Sequence, residues 1–331
     1  MYAFDEIINQ YIKRLEEIKK HIEFISLQKD LYIKIKDEAD MGLYSSKLGE
    51  IINSTVQYNS IIICLYGCFE EFIDSIALEY IRVINGLCTS YEDLPENLRK
   101  KHMLKVGDFL SNPQRYKGYE LTVEDCIKNI YMSIFSSEER ILNTELLISH
   151  AGNLKVDKVY DLFRDLGIKD LKSEFESRIN KVKLKQLDDL IDQRNVISHS
   201  WEVDQRFSFI KIKDDIISLL IKLGKTLNAI LLDKIFLFID EKDGFECFGD
   251  PIKVVNNRIL CIDSKNSFLK VGDFIWLCKG DGKKIRLEVL ELHYDGINIS
   301  KVEKKNIKIG IKVNKNIKKY WKYYYVRSKS I

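Results

Sequence analysis

The spacing of apolar residues changes about three quarters of the way along the chain. Before residue 240 they recur every three or four positions, which collects them on one side of a helix. Phe4, Ile7, Ile8, Tyr11, Ile12, Leu15, Ile18, Ile22 and Ile25 form one such stripe and predict a helix over 4–39. A second long helix is predicted over about 47–87, and its middle, SIIICLYGCFEEFIDSIALEYI, is apolar nearly all round. Such a helix belongs in the centre of a domain. Helices follow over 97–110, 122–136 and 138–149, with the turn SNPQRYKGYE among them. NLKVDKVYDLFRDLG ends on Gly167, a C-capping residue, and DLKSEFESRINKVKLKQLDDLIDQRNVISH comes next. The last helix is predicted over 212–239, carried by Ile216, Ile217, Leu219, Leu220, Leu223, Leu227, Ile230 and Leu231.

From about 250 the period shortens. PIKVVNNRILCIDS, DFIWLCKGDGKKIRLEVLELHYDGINISKVEKKNIKIGIKV and YYYVRS are runs rich in Val, Ile and Tyr, punctuated by Asn-Asn, Gly-Asp-Gly and Asp-Gly. Short strands at this spacing predict a small β-barrel. The expected fold is therefore mainly α: an all-α domain over 1–242, then a barrel over 250–331, with the boundary in DEKDGFECFGDP.

Composition narrows the setting. Three prolines and sixteen glycines in 331 residues disfavour long structureless linkers. The longest apolar stretch, IIICLYGCF, is too short to cross a bilayer. The N-terminus MYAFDEIINQ lacks the basic and apolar regions of a signal peptide, and seven cysteines at irregular spacing do not form a secreted disulfide framework. A cytoplasmic protein that contacts no membrane is expected. The net charge of +3 hides an asymmetry: 19 Lys and Arg face 7 Asp and Glu from Pro251 onward, against 34 and 43 in the first 250 residues. A basic C-terminal part can serve a polyanion or can simply be a solvated surface, and charge alone favours neither.

Most chemical signals fade on inspection. Cys64 and Cys68 share a helix face, but no further Cys or His pair completes a metal set and their surroundings are apolar. KGDGKK reads as a hairpin turn rather than a phosphate loop, and neither H-E-x-x-H nor G-x-S-x-G occurs. No cofactor and no metal is expected. The stretch RNVISH stands apart. Asn195 and His199 lie four residues apart on one helix face, and Arg194 continues the stripe of Leu187, Leu190 and Ile191. A guanidinium there needs an anion, either a carboxylate or a substrate phosphate. Histidine is suited to proton transfer near neutrality. A base and a cation suffice to cleave RNA: one deprotonates the ribose 2′-OH, the other stabilises charge building on phosphorus. Spacing alone is a weak signal for this chemistry and favours a helix finished by Ser198 and His199 with a structural ion pair at Arg194.

DQRNVISHS resembles the signature of the HEPN superfamily, whose ribonucleases carry R-x(4–6)-H with a polar residue, often Asn, after the Arg. Arg194, Asn195 and His199 match it. CLYGCFEEFIDSIALEYI is similar to the long helix of one bacterial branch, with a Tyr followed by Glu-x-Phe, and puts Glu70 at the family's acidic position. LLISHAGNLKVDKVYDLFRDLGI resembles that branch's segment before the motif helix and brings in His150 and Asn153 as supporting residues. The resemblance covers roughly 1–240. It departs at Ser200-Trp201, where relatives often have Gly after the His, which can reshape the pocket. It implies an all-α domain that dimerises and pairs two motif helices. It further implies a metal-independent endoribonuclease in which Arg194 holds the scissile phosphate and His199 acts as base or acid. Asn195 would orient one of them, and Glu70 would hold Arg194 or His199. The product ends would be 2′,3′-cyclic phosphate and 5′-hydroxyl. A toxin or antiviral role, with an antitoxin or regulatory partner, follows from resemblance only. Two alternatives remain: a catalytically silent dimer that binds RNA or a partner, and the HEPN partner of a nucleotidyltransferase.

LKVGDFIWLCKGDGKKIRLEVLELHYDGINISKVEKKNIKIGIKV is similar to the second-domain barrel of translational GTPases, in its Val-Gly-Asp turn, Lys/Arg-rich strand and late Ile-Gly-Ile-Lys. This implies contact with tRNA, ribosomal RNA or another translation-related partner. Lys283, Lys284, Arg286, Lys304 and Lys305 are the candidate phosphate contacts. Trp276 or Tyr294 could stack on a base, although Trp276 reads better as barrel core.

Overall fold

The computed structural model describes the chain apart from residues 1–2, 53–54, 117, 119, 137–140, 150–152, 201–202, 243, 266, 281–283, 303 and 327–331, and the side chains of Ala39 and Lys284. The chain divides into two compact units, 2–232 and 233–331. It is mainly helical up to residue 241 and forms an antiparallel sheet after that, as the change of period predicts.

The first unit is organised around two long helices, α1 (Phe4–Ile35) and α3 (Thr55–Leu87). Helix α3 buries sixteen residues, among them Leu65, Tyr66, Phe69, Phe72 and Ile76, so its all-round apolar character does mark the centre of the unit. The stripe of α1 lies against it, with Tyr11 stacked on Phe72 at 4.2 Å between ring centroids. The helix predicted over 47–87 is described in two stretches, α2 (Gly42–Ile52) and α3, and residues 53–54 between them lie outside the described residues. Helices α4 (Glu96–Ser111), α5 (Val123–Phe135) and α6 (Thr144–Ile148) follow. Thr122 begins α5 by accepting a hydrogen bond from the Asp125 N–H at 3.0 Å. Of the stretch predicted as helix over 138–149, residues 138–140 lie outside the described residues and the rest is helical only over α6, since Asn143 adopts non-helical dihedrals and its side chain is drawn to Asn129 and Cys126.

Helix α7 (Val156–Asp165) ends as expected on Gly167, whose φ of 102° suits a residue without Cβ. The next predicted helix breaks into α8 (Leu171–Arg178) and α9 (Lys181–Ser200). Ile179 is extended, and the Asn180 side chain accepts from the Val182 N–H at 2.8 Å, giving α9 a fresh start. A turn of helix, α10 (Phe209–Lys211), runs through a π turn at Ile212–Ile216 into α11 (Ile217–Glu241), within which the division between units falls. Gly224 permits close packing of α11 on α1: a Cβ there would lie 2.8 Å from Tyr11 Cε1 and 2.9 Å from Ile8 Cδ1.

In the second unit β1 (Phe245–Cys247), β2 (Lys253–Val255), β3 (Ile259–Asp263), β4 (Phe274–Cys278), β5 (Lys284–Tyr294), β6 (Ile297–Ile299), β7 (Lys308–Val313) and β8 (Lys322–Val326) form one curled sheet. Its order is β1-β8-β4-β5-β7-β3-β2, with β6 added to β5, and every pairing is antiparallel. The end strands β1 and β2 are not paired with each other, so the sheet is a half-barrel rather than a closed one. Leu260, Ile262, Ile275, Leu277, Leu287, Val289 and Ile311 fill its concave core.

Candidate functional site

Helix α9 turns its apolar side, Leu184, Leu187, Leu190, Ile191 and Ile197, into the first unit, where it packs on α3 and α7. Arg194 continues that side and is half-buried. Two features lock the helix in place. Asp188 accepts from the Val156 N–H at 3.0 Å, so α9 caps the first turn of α7. Tyr58 on α3 donates its hydroxyl proton to Gln193 and accepts from the Phe207 N–H at 2.9 Å, while Gln193 reaches the Gln205 carbonyl at 2.9 Å. Arg206 lies over the Tyr58 ring at 5.3 Å and donates to Thr55 at 3.0 Å. The Arg194 backbone is thus held from both sides.

The Arg194 guanidinium lies 4.7 Å above the Tyr66 ring centroid. One of its amino groups, Nη1, donates to Asn153 Oδ1 at 3.0 Å and sits 3.5 Å from Asn195 Oδ1. Tyr66 joins three segments: its ring supports Arg194, its hydroxyl donates to Glu70 Oε1 at 2.7 Å, and its oxygen accepts from the Leu154 N–H at 3.3 Å. Burial and the Glu70 hydrogen bond push the Tyr66 phenol up to about 12, so it stays a neutral donor in ordinary conditions. Among the described residues no carboxylate pairs with Arg194; its neighbours are an aromatic face and two amides. A cation held by uncharged groups keeps its attraction for an incoming phosphate.

The site residues named from the sequence separate into those that meet and those that do not. Arg194, Asn195 and Asn153 meet directly. Glu70 joins them through Tyr66, which lies one helical turn before it. His199 sits in the last turn of α9, exposed, and its ring makes no hydrogen bond or ion pair with the described residues. His150 lies outside the described residues. The family likeness marks Tyr66 as the Tyr before Glu-x-Phe, but its stacking on Arg194 is not legible from that pattern. Asp188, next to Asp189 in a run of acidic residues, is a cap. Among the described residues no three His, Cys, Asp or Glu side chains gather to hold a metal ion, and no helix is long and apolar enough to cross a membrane.

In the second unit the candidate contacts divide as well. Lys304 and Lys305 are exposed in the turn before β7. Lys283 and the Lys284 side chain lie outside the described residues. Arg286 departs from the expectation: it is 5% exposed, its guanidinium packed 4.1 Å over the Phe274 ring, because its place on β5 sets it beside Trp276 of β4 on the face opposite the concave core, among aromatic rings. It offers no open cation to a phosphate in this arrangement. Trp276 is also buried, edge-on to Phe236 and Phe245, so of the two stacking candidates only Tyr294 has an open ring.

The family described as RiboL-PSP-HEPN matches residues 9–233 of the chain. No curated protein and no solved structure matches it.

Proposed function

The chain belongs to the RiboL-PSP-HEPN family, and from that premise we propose that it is a metal-independent endoribonuclease whose centre is Arg194 and His199. The family places the protein in RNA-related chemistry. The observation that supports cleavage is the state of Arg194: pinned by Tyr66 and Asn153 and, among the described residues, unpaired with any carboxylate. Arg194 binds a non-bridging oxygen of the scissile phosphate and stabilises the charge gathered there. His199 takes the 2′-OH proton; the 2′-oxygen attacks phosphorus, the 5′-oxygen leaves with a proton, and the ends are 2′,3′-cyclic phosphate and 5′-hydroxyl. Asn195 orients phosphate or histidine, and Glu70 acts on Arg194 through Tyr66.

The working form is a homodimer. Val56 and Ile63 of α3 and Val196 of α9 are apolar and each more than 40% exposed, and Val196 shares its side of α9 with His199. Burying them against a second copy brings two His199 side chains into a shared cleft, which accounts for a histidine with no orienting partner among the described residues of its own chain. The helical unit carries the chemistry, and the basic C-terminal unit holds the RNA, a tRNA or another translation-related molecule; growth arrest in a toxin or defence setting follows from such cleavage.

The test is a denaturing gel of RNA incubated with the purified protein in EDTA. Cleavage with cyclic-phosphate ends is expected, and its loss in both Arg194→Ala and His199→Ala. Cleavage that survives His199→Ala removes that residue from the mechanism. Solitary His199 also suits a second reading, a silent RNA-binding dimer, and RNA binding without cleavage by the wild-type protein would establish it.

A further inference from the structure

The turn that leads into β8 carries a cluster that the sequence presents only as the mixed run KKYWKYYYV. Trp321 packs one side against the sheet core. Lys279, just after β4, holds its ammonium 5.0 Å from the indole centroid; Lys318 holds its own 5.8 Å from the same ring and 5.5 Å from the Tyr320 ring. The register explains the meeting: Cys278 at the end of β4 lies opposite Lys322 at the start of β8. Tyr320 stands edge-on to Trp321, 6.0 Å between centroids at 76°, and is 74% exposed. The turn is fixed from beneath, since Tyr323 donates to the Lys318 carbonyl at 2.7 Å and the Trp321 backbone N–H points at the same oxygen at 3.3 Å. Among the described residues no carboxylate pairs with Lys279 or Lys318.

Two ammonium groups gathered at one indole concentrate positive charge there, which favours phosphate beside it. Beside them Tyr320 presents an open ring on a stiff support. A cation pair next to an open aromatic face is the chemistry of unpaired nucleotides: the phosphate takes the charge and the base takes the ring. A duplex hides its base faces and does not use the ring. We propose that Lys279, Lys318, Tyr320 and Trp321 form a binding site for a single-stranded stretch of RNA. The base stacks on Tyr320, the flanking phosphates sit on Lys279 and Lys318, and Trp321 is the platform that aligns both lysines. The choice of RNA as the polyanion rests on the function proposed above.

The full-length protein is titrated with a fluorescein-labelled oligodeoxyuridine and followed by anisotropy. The probe lacks the 2′-OH, so binding is read without cleavage. Tyr320→Ala should weaken binding roughly ten- to hundredfold, while Tyr320→Phe, which keeps the ring, should stay within about twofold of wild type. The double variant Lys279→Gln/Lys318→Gln should lower the slope of log affinity against log salt by about 1.4. Binding unchanged in Tyr320→Ala overturns the site, even if the lysine variants weaken it, because stacking is then absent. A protein that ignores the oligonucleotide but sediments with phosphatidylserine vesicles through Tyr320 also overturns it and assigns the surface to a membrane. Tyr320-dependent binding with no RNA cut sinks the nuclease reading alone; cleavage by a protein indifferent to Tyr320 sinks this inference alone.

Discussion

At the residue scale, Arg194 is surrounded by groups that fix its position without taking its charge. Placing a carboxylate where Asn153 stands is the sharpest probe of that state. Asn153→Asp is nearly isosteric and turns a 3.0 Å hydrogen bond into an ion pair. It should cut cleavage by roughly tenfold or more, while Asn153→Ala, which leaves the cation unpaired, should do less harm. Initial rates at saturating RNA compare the two; equal loss would show that only position matters. Tyr66 separates its two roles in the same way. Tyr66→Phe keeps the ring under Arg194 but gives up the hydroxyl shared by Glu70 and the Leu154 N–H, and should lower stability by about 1 kcal/mol with cleavage largely kept. Tyr66→Leu also removes the ring and should reduce kcat well beyond its effect on KM. Denaturant melts beside kinetics separate folding loss from catalytic loss.

At the scale of elements, the close pass of α11 over α1 and the buried histidine of α4 each make a prediction. Gly224→Ala sets a methyl group against the Tyr11 ring, which is stacked on Phe72 and has nowhere to go. About 1–3 kcal/mol of destabilisation is expected, read as a lower midpoint in urea. His102 is fully buried between Tyr91 and Asn143. Its Nε2 accepts from the Asn143 N–H at 3.2 Å, so the proton sits on Nδ1 and is donated to the Tyr91 hydroxyl at 3.0 Å. Burial drives this ring down to about 4 from its ordinary 6.5. Between those values the unfolded chain binds a proton that the folded one refuses, so stability rises with pH across that window. The contribution is complete above about 6.5 and is lost as pH falls toward about 4, amounting to at most ~3 kcal/mol. A stability profile flat through that window in the wild type, or unchanged in His102→Gln, would remove His102 as its source.

For the whole molecule, charge and assembly are the informative quantities. Lys304 and Lys305 are exposed and Arg286 is buried, so equal charge changes should act differently. Lys304→Gln/Lys305→Gln should reduce the salt slope of RNA binding by about 1.4 if both touch phosphate. Arg286→Gln should leave the slope alone and instead lower stability by withdrawing a packed side chain from Phe274. Assembly is tested by light scattering. Ile63→Glu places a charge on the exposed side of α3 and should convert a dimer to a monomer and abolish cleavage together; an active monomer would contradict the shared cleft.

The change from helical to strand period, the central place of α3, the Gly167 cap and the contents of the motif helix were all legible in the chain, because each depends on residues close in sequence. Arg194, Asn195 and His199 are marked there by local spacing and family likeness. Family likeness also points to the Tyr of the long helix and to Asn153, but not to their contacts with Arg194, since Tyr66 and Asn153 come from other segments and meet it only when α3, the approach to α7 and α9 pack together. The same holds for Arg286 and Trp276: a strand sequence states alternation, but the direction of each side chain depends on how the sheet curls. The helix break at 179 escaped for a related reason, since a broken period costs little sequence signal when both halves remain amphipathic. Local chemistry set what the elements are and where the candidate pair Arg194 and His199 is written. Tertiary packing alone decided that Arg194 keeps its charge, that Arg286 is covered, and that Lys279 and Lys318 converge beside Tyr320.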